Sequence, residues 1–261
     1  MEIDIFRKRR GQFTAALIVI VIVTFIAMTI TRYDPILGFT SIPNAIIWAA
    51  SNFYPNEKSL SKLPTIIAKM KETVFLSIAA TTTAGILALL FSLLGSKTTK
   101  INNFIGTITR IIASAFRNIP DTVWAMVLLL SFGQNALTGY FALFFATFGI
   151  LTRAFIETID EVSSDSVDAL ESTGATYFQI VSQGIIPSSI PQIVSWILFM
   201  IETNIRSSTL IGLLTGTGIG YTFSMYYKSM DYNSASLAVV FIILSVIIIE
   251  LISNYVRRVI L

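Results

Sequence analysis

The chain has 261 residues with a formal net charge of +3; 54% are hydrophobic, only 13% are charged, and Cys and His are absent. A soluble domain carries about 25% charged residues, so a water-solvated globule is excluded; the mean hydropathy of +0.76 and the long apolar runs point to a bilayer as solvent. Without Cys there is no disulfide framework, thiolate metal site or cysteine nucleophile, and without His the commonest general base and metal ligand is missing. The basic residues sit at the ends of apolar runs rather than on one face or arm, which argues against a nucleic-acid partner.

In chain order, a basic patch from Arg7 to Arg10 precedes a first span, Phe13–Thr31. This run is longer than a signal-peptide core and lacks a small-residue cleavage site, so it is expected to stay as a membrane anchor. The stretch from Arg32 to Glu72 carries Pro35, Pro43, Pro55 and Pro64 and predicts an external loop with short interfacial helices. A second span covers Val74–Gly95, and the basic connection SKTTKIN follows. Phe104–Phe132 is too long for one crossing; an amphipathic approach containing Arg110 and Arg117 is expected to bend at Pro120 into a membrane segment. After the turn GQNALTG come a fourth span, Tyr140–Ile156, a polar insert, a fifth span, Pro191–Leu214, a Gly- and Tyr-rich loop, Thr215–Ser234, and a last span, Ala235–Ser253. The fold class is therefore all-α and polytopic, with about six transmembrane helices. Two parts are expected: 1–73 as anchor and external loop, and 74–261 as the transmembrane core.

Six crossings put both termini on one side. Arg7, Lys8, Arg9, Arg10, Lys97, Lys100, Arg257 and Arg258 share that side, while Arg32, Lys58, Lys62 and Lys228 fall on the other. Lys and Arg in short flanking loops favour the cytoplasm, so the termini and the polar insert are expected there, although Lys69 and Lys71 run against the bias.

The insert spans 157–187. It carries Glu157, Asp160, Glu161, Asp165, Asp168 and Glu171, and no Lys or Arg falls between Arg153 and Arg206. Its composition alone suits a solvated acidic loop. Its pattern also suits a rigid knob: Ser163, Ser164 or Asp165 capping a short helix with Val167, Leu170 and Ala175 on one face, a break at Gly174, and a second amphipathic segment, Tyr177–Ile186, ending at Pro187. Asp168-Ala169-Leu170, Gly174 and the Ile186-Pro187 pair thirteen residues beyond it resemble the "EAA" motif of bacterial ABC-importer permeases, with Asp168 for Glu and Leu170 for Ala as departures. The resemblance implies that Asp168, Ala169, Leu170, Glu171, Gly174, Ala175 and Pro187 form a coupling helix docked on an ATP-hydrolysing subunit. It also implies that this chain holds no cofactor, ATP and Mg being bound by that partner. The acidic surround predicts a basic rim on the ATPase.

The fifth span narrows the resemblance. Glu202, Asn204, Arg206 and Ser207, followed by Gly216, Gly218 and Gly220, look like the permease of phosphonate-type ABC importers, and so does the order Arg117, Pro120, Asp121, Trp124. The fold implied is that of methionine-importer-like permeases. The implied partners are ATPase subunits, a second permease copy or paralogue, an external substrate-binding protein and membrane lipids. The implied cargo is phosphonate or a related phosphorus oxyanion, with methionine or a vitamin as the alternative cargo and a lipid-phosphate enzyme or an ion channel as more distant readings.

Physical reasoning stands beside the resemblance. Arg206 lies about 22 Å along a helix that starts at Pro191, at 1.5 Å per residue, past the middle of a ~30 Å core. A charge there must face a partner or a watery path. An i,i+4 pair with Glu202 would neutralise it; alternatively Arg206 and Asn204 line the path and favour an oxyanion. Arg117 and Asn118 extend this candidate path at its inner mouth, with snorkelling of Arg110 and Arg117 to headgroups as the other reading. The Thr81-Thr82-Thr83 run suits either helix packing or polar lining. The Gly216–Gly220 run lacks both the preceding strand and the spacing of a nucleotide loop and is expected to be flexible packing near an outer gate. No Walker-type motif occurs, so ATP hydrolysis in this chain is not expected.

Overall fold

The computed structural model describes residues 2–99, 102–162 and 164–260, with the side chains of 2–8, 162 and 164–166 excepted. The predicted cap Ser163 and the flanking Lys100 lie outside the described residues, as do the side chains of Ser164, Asp165, Arg7 and Lys8. The described residues are almost entirely helical, with no strand among them. They divide into two compact units, Met1–Phe53 and Tyr54–Leu261.

In the first unit, α1 (Glu2–Thr31) contains the predicted anchor. The next residues form one 18-residue helix, α2 (Pro35–Asn52), rather than a loop with short helices. Two local signals explain it. The Asp34 carboxylate accepts from the amides of Ile36 and Leu37 at 2.9 and 3.1 Å, and Pro35 occupies the first turn, where its missing N–H is harmless. Pro43 is carried inside the helix. No α2 residue is buried within the structure.

The second unit begins with a one-turn helix, α3 (Glu57–Leu60), whose Asn56 and Ser59 form a capping box. Helix α4 runs Leu63–Gly95, one and a half times the predicted span. Helices α5 (Asn103–Asn118) and α6 (Asp121–Phe132) break at Ile119-Pro120 as predicted. The residue before a proline is pushed to extended backbone, and Ile119 has φ −94° and ψ 117°. Asp121 then starts α6 and accepts from the Thr122 amide at 2.8 Å, a favourable place for a carboxylate at a helix N-terminus.

Helix α7 (Ala136–Val162) is the centre of this unit: it packs along α4 and also touches α5, α6 and α10 (Ile186–Thr215). Close approach to α5 requires Gly149, because a Cβ there would strike the Phe116–Arg117 backbone. Two apolar clusters fill the α4–α7–α10 seam. One gathers Ala84, Ala88, Phe148, Leu151, Phe155, Ile193 and Met200; the other gathers Ala80, Ala125, Ala142, Leu143 and Ile211. Small residues on α4 let the helices approach closely.

Helix α8 (Ser164–Ser172) is followed by α9 (Tyr177–Gln179), which passes through a π-helical stretch, Ile180–Ile185, directly into α10. The second knob segment therefore does not end at Pro187. That proline lies in the first turn of α10, and Pro191, predicted as the start of the span, sits inside the helix.

The predicted loop 215–234 is also corrected, because it contains α11 (Gly218–Lys228) between Gly216 and the final α12 (Tyr232–Ile260). Among the described residues, five helices are long and apolar enough to cross a membrane: Arg9–Thr31, Leu63–Gly95, Ala136–Glu161, Tyr177–Thr215 and Tyr232–Ile260. The shorter apolar α6 makes the sixth segment, in line with the predicted number.

Candidate functional site: an arginine cluster on α10 and a braced polar knob

Alternation of exposed and buried faces along α10 places its polar residues in two different settings. Phe199, Arg206, Leu210 and Leu213 form one exposed stripe. Glu202 lies beside it, 12% exposed, with Oε1 3.1 Å from Arg206 Nη1. The same carboxylate is also approached from α12: Arg257 Nη2 lies 3.6 Å from Oε2. Arg206 remains 51% exposed. The predicted i,i+4 pair is thus present, but it belongs to a three-membered cluster in which two cations share one carboxylate. Ser207, next on the helix, is half-buried.

Asn204 was expected beside Arg206 on a path, and the structure turns it the other way. It is 4% exposed, and its amide donates to Thr81 Oγ1 of α4 and Thr147 Oγ1 of α7, both at 2.7 Å. Ser77 Oγ donates to the Asn204 carbonyl at 3.2 Å and bonds Ser208 Oγ at 3.0 Å. The reason is helical spacing: two residues on from Glu202 is about 200° around the helix, so Glu202 and Asn204 cannot share a face. Asn204 is a packing residue that ties three helices. Thr81 joins it as a packing residue, whereas Thr82 and Thr83 are exposed, Thr83 meeting Tyr140 Oη at 2.7 Å.

Arg117 and Asn118 end α5 and are exposed; the structure does not bring them to the Arg206 cluster. Arg110 is held back against the end of α4. Its Nε donates to the Gly95 carbonyl at 2.7 Å, satisfying one of the orphan carbonyls at the end of α4.

Glycines 216, 218 and 220 occupy positions that the backbone and its neighbours restrict to glycine. Gly216 adopts φ +70° at the α10 C-cap, where left-handed backbone favours glycine. Gly218 and Gly220 are buried. A Cβ on Gly220 would run into the Thr209 carbonyl, and one on Gly218 into Thr73 Oγ1. Thr73 Oγ1 also accepts from the Ile219 amide at 2.9 Å, so the start of α11 is locked onto α4 and α10.

The polar insert is a packed knob. Val167, Leu170 and Ala175, the predicted inner face, join Ile159, Ile180, Val181 and Ile185 in one core. Asp168, Ala169, Glu171 and Gly174 face outward, with Phe178 at 78% exposure beside them. Gly174 has φ +80° and open space around it, so its role is the backbone turn and not a close approach. Pro187 is exposed at the base.

Two braces escaped the sequence reading. Asp160 Oδ1 accepts from the Lys97 amide at 2.7 Å and from Ser96 Oγ, and Tyr177 Oη donates to the Thr99 carbonyl at 2.9 Å. Asp160 looked like one more member of an acidic run. Nothing in its spacing marked it as the residue that holds the turn after α4. Among the described residues no group of His, Cys, Asp and Glu could hold a metal ion.

Residues 84–260 match the family model described as binding-protein-dependent transport system inner membrane component. The putative phosphite transport system permease protein HtxC of Stutzerimonas stutzeri is 26% identical over 258 residues, 99% of this chain and 90% of that protein. The phosphite transport system permease protein PtxC of the same organism is 25% identical over 74% of this chain and 70% of its own length. Among solved structures, the inward-facing MetNI methionine ABC transporter superposes with a TM-score of 0.68 over 79% of this chain and 99% of the matched chain at 16% identity, a likeness of fold. The chain belongs to the binding-protein-dependent transport system inner membrane components, the non-enzymatic permease subunits of ABC importers.

Proposed function

We propose that this permease carries a phosphorus oxyanion, of the phosphite, phosphonate or phosphate class, across the cytoplasmic membrane. Both termini and the 157–187 knob lie in the cytoplasm on this reading. The exposed knob face with Asp168, Ala169, Glu171 and Gly174 docks on an ATPase subunit that binds ATP and Mg. A second permease completes the pathway against the exposed α10 stripe, and an external binding protein delivers the cargo.

The observation that carries this reading is Arg206. A half-exposed guanidinium on the apolar α10 is costly beside lipid, at ~2.5–3.5 kcal/mol on the lenient scale for a helix centre, unless it faces a watery path. Guanidinium geometry suits tetrahedral oxyanions, and relatives named for phosphite and phosphate transport support the cargo class.

The test is reconstitution in proteoliposomes with the cognate ATPase and binding protein. R206A should abolish phosphite uptake while the complex still assembles; uptake at the wild-type rate would remove Arg206 from the path. Uptake of methionine with no uptake of any phosphorus oxyanion would overturn the cargo.

A further inference from the structure

The cluster on α10 holds one more cation than its carboxylate can neutralise, and the geometry of that excess is informative. Glu202 presents a different oxygen to each arginine: Oε1 to Arg206 at 3.1 Å and Oε2 to Arg257 at 3.6 Å. One negative charge between two guanidiniums leaves a net charge of +1. The excess is unevenly displayed, because Arg257 is 28% exposed and Arg206 51%. Arg257 also makes poor use of its donors. Its Nε is buried with no hydrogen-bond partner among the described residues, and 3.6 Å is a charge contact and not a hydrogen bond. The other charged residues of α12, Glu250 and Arg258, form no ion pair among the described residues. Arg257 sits in the last turn of α12, where the helix dipole favours a cation.

Left alone with Arg206, the Glu202 carboxylate would be free to turn both oxygens onto that guanidinium in a bidentate clamp, the strongest geometry available to the pair. Such a clamp would neutralise Arg206 and occupy the fork that an oxyanion needs. We propose that Arg257 is a positioning residue for anion transport: it engages the far oxygen of Glu202 and thereby keeps Arg206 charged and open toward the path. This rests on the reading of Arg206 given above. It assigns a role to the C-terminal arginine that the sequence placed among cytoplasmic flanking charges.

The proposal ties uptake to the charge balance of three residues, and that is testable by a double-mutant cycle. The full importer, with ATPase and binding protein, is reconstituted and saturated with phosphite-loaded binding protein, and assembly is checked for every variant. R257M leaves Glu202 free to clamp Arg206 and should slow uptake about tenfold, the scale of losing one charge-assisted hydrogen bond. R257K keeps the charge and should stay near the wild-type rate. The decisive variant is E202Q/R257M, which removes the clamp together with its counterweight and should restore uptake to within about threefold of wild type.

A structural tether between α10 and α12 would predict the opposite, since the double variant has lost both partners and should be at least as impaired as R257M. Wild-type uptake by R257M, or no rescue in the double variant, overturns the proposal. Failure of both R257M and E202Q/R257M to assemble does so too, by making Arg257 a packing residue. If R206A transports normally, the path reading itself fails; if R206A is inactive but the cycle shows no rescue, only the role of Arg257 falls.

Discussion

Replacing Asn204 separates a packing role from a transport role at a position where the sequence suggested the latter. Its amide spans α10 to α4 and α7 through two bonds of 2.7 Å, to Thr81 and Thr147. Interhelical hydrogen bonds inside membranes average ~0.6 kcal/mol and reach ~1.7, so losing two should cost ~1–3 kcal/mol. The loss is cushioned at Thr81, whose hydroxyl already donates to the Ser77 carbonyl at 2.7 Å and is not orphaned. N204A should therefore lower the unfolding free energy, read by denaturant titration in bicelles, by that amount. Uptake per assembled complex should stay within about twofold of wild type, as expected of a side chain that never meets the cargo. N204L, which must force a branched side chain into a seam packed at native density, should be worse than N204A. Unchanged stability combined with lost uptake would refute this reasoning and return Asn204 to the path.

Two further outcomes follow from contacts described above. G220A places a methyl group against the Thr209 carbonyl and should cripple folding, whereas G139A, whose Cβ would sit an ordinary 3.6 Å from Ile211 and Thr215, should be tolerated; equal yields of folded protein from the two would contradict the close packing of α11 on α10. D160A removes the acceptor for the Lys97 amide and Ser96 hydroxyl, at ~1–3 kcal/mol for a donor left unpaired, and Y177F removes a bond worth ~0.5–1.5 kcal/mol. Both should loosen the knob and raise ATP turnover per molecule transported in the reconstituted importer, D160A more than Y177F; a wild-type ratio in both would mean that these braces do not matter to coupling.

What the sequence revealed follows from how local each signal was. The α5–α6 break was legible because proline dictates its neighbour's backbone, and Ile119 obeys. The inner face of the knob was legible in part because Val167 and Leu170 recur at helical spacing; Ala175 lies beyond the end of α8 and joins them through the turn at Gly174. α11 was missed because Thr-Gly-Thr-Gly-Ile-Gly reads as a loop by composition, while its helix is supported by contacts with Thr73 and Thr209, which are remote in sequence. α2 was missed for a related reason: Pro35 and Pro43 were counted as breakers, yet one falls in a first turn that tolerates it and the other is absorbed within the helix. The Glu202–Arg206 pair could be read from spacing alone. Arg257 could not, because 55 residues and two helix turnabouts separate it from the carboxylate it meets. Asn204 was misread because neighbours in sequence were treated as neighbours in space, against the angular step of a helix.

On the proposed reading, these corrections decide where motion can occur. The knob core rests on α7 through Ile159, and the segment after Gly174 continues through the π-helical stretch into α10 without a break. Arg206 stands twenty residues beyond Ile186, about 30 Å along that rod. A displacement of the knob therefore reaches the arginine cluster as a movement of α10. The Asn204 bonds and the locked glycines make α4, α7 and α11 follow. A protomer tied together in this way has little freedom to open inside itself. Gating is then left to surfaces that the protomer does not bury, above all the stripe of Phe199, Arg206, Leu210 and Leu213. The cargo-facing charge lies on that stripe, so one rigid movement would both open the gate and move Arg206 relative to the opposing wall.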